Sequence, residues 1–368
     1  MAKRLFVAAT AQNDGKTTVS VGLISALKRS FGEIGFIKPV GQRYVEADGL
    51  KIDEDSILVN SVYHPSTKLE DMSPVAVERG FTKRCIEGGK SDRLAAHIRT
   101  AFDHVAADTN VVIVEGTGHA GVGSVFGLSN ATVAGMLRAP VVLVTKGGIG
   151  RPIDEIALNR CLFEASNVEV IGVVLNQVLP EKLESVSKYV RMWLERNGIR
   201  FLGAIPYLPM LRGPTLRLVL EATNGELLNG EAFLENLIDR TVVGAMSPHN
   251  ALDYFGPRTL LITPGERDDL ILTAMSSCVM GEGSAECVSG ILLTGGTRPH
   301  RNIVNLIQRT TIPVILVKED SYEAAKTVYN ITVKIRPEDR KKISAARRLV
   351  KQHVDVEGIA ELLANQEA

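Results

Sequence analysis

Residues 10–18 read TAQNDGKTT, from Thr10 to Thr18, and this stretch decides the fold. An apolar run, RLFVAA (4–9), leads into it, and VSVGLISALKRSF (19–31) follows with helical spacing of its apolar residues. Strand, loop and helix in that order are the setting of a phosphate-binding loop, G-x-x-x-x-G-K-[ST]. Thr10 stands at the first glycine position, which changes the entry to the loop without removing its cradle. Gly15 lets the backbone turn tightly, so that successive N–H groups from Asn13 and Asp14 through Gly15 to Thr18 face phosphates at the helix N-terminus. Lys16 brings a positive charge to the outer phosphates, and the Thr17 hydroxyl can hold Mg²⁺.

Further short apolar runs alternate with helical stretches: IGFIKPV, NVVIVEG, PVVLVTK, VIGVVLNQV and RFLGAIP. They are rich in Val and Ile and lack strict alternation, as strands buried on both faces do. The fold class expected is therefore α/β, a parallel sheet of the P-loop NTPase type covered by helices. Near Leu211 the run LPMLRGPT breaks the pattern with Pro209, Gly213 and Pro214, and a smaller α/β set follows: TVVGAM, RTLLITPG, VSGILLTGG and IPVILVKE. The expected division is 1–211, 212–335 and a charged helical tail, 336–368, whose basic run reads as a solvated helix face.

With 368 residues, two domains are the natural expectation. Lys plus Arg equals Asp plus Glu at 42 each, so no net field draws the chain to nucleic acid or to a membrane surface. The apolar runs are too short to span a bilayer, and the N-terminus lacks the pattern of a signal peptide. Cys85, Cys161, Cys278 and Cys287 show neither C-x-x-C nor metal-ligand spacing and read as reduced thiols. A cytoplasmic location is expected.

Chemistry-bearing residues gather around the loop. The strand NVVIVEG ends in Glu115, an acid placed to hold a metal opposite the Thr17 hydroxyl, although a strand-end glutamate can simply face water. The segment after it, GTGHAGVG, lets backbone approach a ligand and contains His119, which serves either a substrate or the loop itself. FIKPVGQ places Lys38 at the end of the second strand, where it can reach a transferring phosphoryl group or face solvent. Asp53 and Asp55 in DGLKIDEDSIL are both placed to complete a metal shell, and the sequence does not separate them. In the second part, Gly295 and Gly296, with Arg267, Asp268 and Arg298, form either an anion pocket or ordinary turns and surface charge.

These motifs carry a resemblance. Residues 1–211 resemble dethiobiotin synthetase and, more closely, the N-terminal domain of long bacterial phosphotransacetylases, through NDGKTT, FIKPVGQ, DMSPVAV, VEGTGHAGVGSVFGLSNA, PVVLVTKGGIG and GVVLNQV. Residues 212–335 resemble the DRTGG domain that follows it there, through VVGAMSP, GERDD and LLTGGTRP, with Glu266 where an aspartate is usual. The resemblance implies phosphate binding by Lys16, Mg²⁺ held by Thr17, Asp55 and Glu115, and Lys38 beside the reacting groups. It also implies base contact by Asn176 with Pro206 alongside, and a homo-oligomer, of which a homodimer is the simplest closed form. Gln42 stands where the synthetase has a serine for its diamine substrate, which argues against biotin chemistry. The chain ends soon after the DRTGG-like segment, so the acetyl-transfer domain is expected to be absent.

Two functions follow as expectations. One is a Mg-ATP-binding regulatory sensor, a stand-alone relative of the phosphotransacetylase N-terminal region, acting on a partner enzyme of acetyl or acyl metabolism through an unidentified effector. The other is an ATP-dependent ligase activating a carboxylate or carbamate, in the manner of dethiobiotin synthetase or cobyrinic acid a,c-diamide synthase, with Lys16 and Lys38 catalytic. GTP remains an alternative nucleotide. Partitioning ATPases carry a signature lysine where this chain has Ala11, which sets them aside.

Overall fold

A computed structural model describes residues 2–47, 49–88, 91–280, 287–331 and 333–366, leaving aside the side chains of 91 and 278–280. The chain divides into two units, Met1–Leu208 with Ile335–Ala368, and Pro209–Lys334.

The first unit is built on six strands: β1 (Lys3–Ala9), β2 (Ile34–Ile37), β3 (Val111–Glu115), β4 (Val141–Lys146), β5 (Val170–Val178) and β6 (Phe201–Pro206). They lie in the order β6-β5-β4-β1-β3-β2, all parallel. Every residue of β3 is buried, as are Val141–Thr145 of β4, because helices cover both faces and no side chain in these stretches meets water. Those helices include α1 (Lys16–Phe31), α2 (Glu54–Tyr63), α3 (Ser91–Ala107), α4 (Asn130–Met136), α5 (Gly150–Ala165) and α6 (Leu183–Arg196). Strand order reverses between the neighbours β1 and β3, whose onward connections, to β2 and to β4, run in opposite directions across the sheet. That reversal opens a crevice beyond the carboxyl ends of β1 and β3. The P-loop-type parallel sheet expected from sequence is what the first unit contains.

The second unit has its own core and a five-stranded sheet. Its strands are β7 (Glu226–Asn229), β8 (Arg240–Val243), β9 (Thr259–Pro264), β10 (Gly290–Thr294) and β11 (Val314–Leu316), in the order β7-β11-β10-β9-β8. Only β7 runs antiparallel to its neighbour. Helix α7 (Asp268–Met280) packs its Ile271, Ala274 and Met275 into one cluster with Leu261 and Leu293.

Two helices at the C-terminus, α8 (Arg340–His353) and α9 (Val356–Ala364), belong to the first unit. Along α8 the buried residues Ile343, Ala346 and Val350 recur at helical spacing, and the helix packs on α1. Its basic run is divided between solvent and packing: Lys341, Arg348 and Lys351 are exposed, whereas Lys342 is buried and Arg347 stacks 4.7 Å over the Tyr63 ring. The helices approach closely at Gly22, where an added Cβ would lie 2.3 Å from Val350 Cβ. Gly22→Ala is therefore expected to destabilise the first unit by roughly 1–3 kcal/mol through overpacking, despite alanine's better helix propensity. Val350→Ala in the same chain removes the γ-carbons but keeps the Cβ at 2.3 Å, so the double variant should recover little of the loss, and thermal melting of the single and double variants checks both.

Cys85 and Cys161 are free. Cys287 is disulfide-bonded, which corrects the expectation of four reduced thiols; the side chain of Cys278 lies outside the described set. Among the described residues no helix is long and apolar enough to cross a membrane.

Candidate nucleotide site

Strand β1 delivers the loop and α1 receives it. Gly15 takes a left-handed conformation, φ 95°, that only glycine adopts without strain, and Asn13 also has positive φ, 65°. Thr10 does more than fill a glycine position. Its hydroxyl lies 2.9 Å from Asp14 Oδ2 and 2.8 Å from Thr145 Oγ1, and the Ala11 N–H donates to Asp14 Oδ2 at 2.7 Å. A side-chain bond across the loop thus sets the entry that glycine would otherwise allow.

Strand β5 holds the other side of the loop. Asn176 Nδ2 donates to the Asp14 carbonyl at 2.8 Å, its Oδ1 accepts the Gln177 N–H at 3.0 Å, and Gln177 Nε2 donates to the Asn13 carbonyl at 3.2 Å. Asn176, expected to contact a base, has both ends of its amide engaged within the protein and is only 4 % exposed. Pro206 closes β6 beside Val178, close to Asn176 in the adjoining strand, and Thr18 is half-buried in the first turn of α1.

Three charged groups meet where α1 begins. Lys38 Nζ lies 2.6 Å from Asp55 Oδ2 and 2.8 Å from Glu115 Oε1, all three side chains being nearly inaccessible to solvent. The Thr17 hydroxyl sits 3.2 Å from Asp55 Oδ1 and 3.1 Å from Glu115 Oε1. Asp53 and Asp55, inseparable in sequence, take different jobs. Asp53 Oδ1 caps α2 by accepting the Asp55 N–H at 2.9 Å, while Asp55 turns its carboxylate to Lys38 and Thr17. Burial works against the Lys38 charge, but the Asp55 and Glu115 carboxylates outweigh it and hold the ammonium above the usual lysine range. Lys16 is pushed down to about 8, by burial and by the neighbouring Lys38 charge, against the pull of Glu115, Asp14 and Asp55. Its ammonium donates to the Gly118 carbonyl at 3.3 Å.

Does this donor set suit Mg²⁺? A hydroxyl and two carboxylates are the hard oxygen ligands that ion prefers. Glu115 Oε2 is buried and accepts no hydrogen bond, an orphan that a cation or its water would satisfy. Among the described residues no group of three His, Cys, Asp or Glu could hold a metal by itself. The remaining ligands would come from phosphate oxygens and water, as is usual for Mg²⁺ with nucleotides. The residues fit the ion.

Sequence reasoning missed two buried asparagines. Asn130 Oδ1 accepts the Thr117 N–H at 3.0 Å, and its Nδ2 donates to the Thr117 and His119 carbonyls, each at 2.7 Å. Asn159 Oδ1 accepts the Ala120 N–H at 2.8 Å, and its Nδ2 donates to Thr10 O at 3.3 Å. A polar residue that competes for backbone bonds inside the helical run IDEIALNRCLF was the one signal that could have marked Asn159. In the second unit the anion pocket is not built. The Gly295 and Gly296 N–H groups are spent on the Glu319 and Val317 carbonyls, Arg298 pairs with Glu226, and Arg267 pairs with Asp269.

Residues 3–215, which hold the loop, Lys38, Asp55, Glu115, Asn130, Asn159 and Asn176, match the AAA domain. The chain belongs to the AAA domain family. Behind its AAA domain, residues 218–331 match the DRTGG domain. Phosphate acetyltransferase of Nitratidesulfovibrio vulgaris is 26% identical over 100% of this chain and 53% of its own length. The same-named protein of Pseudomonas putida is 27% identical over 95% and 50%. The chain therefore spans about half the length of the curated relatives it matches. Among solved structures, the MinC:MinD cell division protein complex of Aquifex aeolicus aligns at 14% identity over 57% of this chain and 84% of that one, with a TM-score of 0.36.

Proposed function

We propose that the AAA domain binds ATP with Mg²⁺, and that the chain is a nucleotide-responsive regulatory module acting on an enzyme of acetyl or acyl metabolism. The observation that carries this reading is the Thr17 hydroxyl, one residue after Lys16, within 3.2 Å of both the Asp55 and Glu115 carboxylates. Lys16 is ready to exchange its single carbonyl contact for phosphate, because burial and Lys38 leave its charge poorly compensated. The bound metal ion would supply positive charge to the phosphate oxygens. Asn13 to Thr18 would cradle those phosphates, and Asn176 would keep the cradle in shape whether or not it also touches a base. The acyl context rests on the acetyltransferase relatives, and GTP stays open as the alternative nucleotide.

A second reading is favoured by Lys38. A buried ammonium held beside Lys16 at the metal-binding carboxylates can stabilise a moving phosphoryl group. In that case the domain is an ATP-dependent ligase that activates a carboxylate or carbamate.

Isothermal titration of Mg-ATP into the purified chain tests the nucleotide site. Lys16→Ala is expected to weaken binding roughly 10- to 100-fold, the worth of a hydrogen bond to a charged phosphate. Wild-type protein that binds neither ATP nor GTP would sink the reading. Phosphate release stimulated by added carboxylic acids, and lost in Lys38→Ala, would put the ligase first.

A further inference from the structure

We propose that the groove between α6, the start of β6 and the end of α8 binds a small organic anion carrying a phosphate or two carboxylates. The cavity there measures about 500 Å³, within the roughly 300–1,000 Å³ of small-molecule sites. It is lined by Arg191 and Glu195 of α6, by Arg200 directly before β6, and by Gln352, His353 and Asp355 around the end of α8. Strand β6 is an edge strand of the first sheet, and the cavity meets it at its first residues, Phe201 to Gly203. The nucleotide site lies beyond the carboxyl ends of the strands. The groove is therefore a separate place, and the proposal does not depend on the nucleotide reading.

Backbone contacts fix the frame of the groove. The Asp355 N–H donates to the Leu202 carbonyl at 2.7 Å, and Val354 bridges Gly203 in antiparallel fashion. Gly203 has φ 136°, and an added Cβ would stand 1.9 Å from the His353 carbonyl oxygen, so α8 ends pressed against the strand. The charges on this frame differ in what they have left to bind. Arg191 lies with Cζ 4.8 Å from the centre of the Phe201 ring, a contact that holds the guanidinium without using its N–H groups. Among the described residues neither Arg191 nor Arg200 forms an ion pair or a side-chain hydrogen bond. Of the two carboxylates, Asp355 is engaged. It caps α9 by accepting the Gly358 N–H at 2.9 Å, where the positive end of the helix dipole answers its charge. Glu195 alone stands against two guanidinium groups. A guanidinium fork matches the paired oxygens of a carboxylate or phosphate. Two forks on one groove call for a ligand with two carboxylates or with a phosphate. The Gln352 amide and the His353 ring add polar atoms for the remaining oxygens.

The test titrates glycerol 2-phosphate and succinate, each at constant ionic strength, into the purified chain. At least one of them is expected to bind. Arg191→Gln and Arg200→Gln should each weaken that binding roughly tenfold or more, the worth of a hydrogen bond between charged groups. Lys16→Ala should leave the affinity unchanged, which separates this groove from the phosphate loop. Binding of succinate alone assigns the groove to dicarboxylates, binding of glycerol 2-phosphate alone to phosphate esters, and binding of both to either class. Melting temperatures near that of wild type show that the variants are folded. As a readout that needs no variant, the Nε–H resonances of Arg191 and Arg200 in ¹⁵N spectra of wild type should shift on saturation with the probe. The proposal falls if neither probe binds wild type at roughly millimolar concentration, or if binding persists in the double variant Arg191→Gln/Arg200→Gln. It falls equally if Lys16→Ala abolishes binding that both arginine variants keep. Wild type that takes a probe here but binds no nucleotide defeats the nucleotide reading alone.

Discussion

Lys38→Met is expected to lower the stability of the first unit by about 3–5 kcal/mol, the usual result of removing one partner from a buried ion pair. Methionine nearly matches the lysine stem in volume, so packing changes little and the effect isolates the charge. What remains is two carboxylates, Asp55 and Glu115, both almost wholly buried and both having lost an ammonium at 2.6 and 2.8 Å. At about 2–4 °C per kcal/mol for a domain of this size, the melting temperature should fall by roughly 6–20 °C. Mg²⁺ should then stabilise the variant more than wild type, because a divalent ion can supply the missing charge to the same oxygens. A melting temperature within two degrees of wild type without Mg²⁺ would mean that the carboxylates are not relying on Lys38.

Gly15→Ala should weaken nucleotide binding while leaving most of the fold. At φ 95° a side chain is strained, by about 1–2 kcal/mol for an ordinary residue. The new Cβ would also stand 1.9 Å from Asn176 Nδ2, the donor that holds the Asp14 carbonyl. Moving that amide leaves a buried carbonyl unsatisfied, at about 1–3 kcal/mol. The loop then loses its shape together with its tether, and Mg-ATP affinity is expected to drop by roughly 5- to 160-fold, the larger of the single contributions above. Adding Asn176→Ala relieves the collision but not the lost tether, so titration of the double variant should show melting temperature partly restored and affinity not. Recovery of affinity in the double variant would show that the collision alone mattered and that the loop shapes itself.

The parts of this site that could be read from sequence are those written locally. TAQNDGKTT lies between one strand and one helix, and Glu115 closes a run of apolar residues, so neighbours in the chain define both. Lys38 was legible for the same reason, as the residue directly after β2. The choice between Asp53 and Asp55 was not, because it turns on which carboxylate caps α2, a matter of one backbone turn. Neither was the double engagement of Asn176, a contact across 162 positions with no trace in its own segment. The helical character of 340–353 shows in its spacing, but nothing there names α1 as its partner. That pairing depends on Gly22 and Val350 being complementary in size, and volume complementarity between distant segments leaves no periodic signal.

The return of the C-terminal helices to the first unit has a consequence for the order of events during synthesis. Residues Pro209–Lys334 must all be translated before α8 exists, although β1, α1 and the other strands of the first sheet are finished long before. At roughly 5–20 residues per second, the stretch from Pro206 to Val350 leaves the apolar face of α1 uncovered for roughly 7–29 seconds after the first sheet is complete. The second unit, continuous in the chain, can close first. The nascent first unit is thus the part of this protein most exposed to misassociation, and chaperone capture during translation is expected to concentrate there.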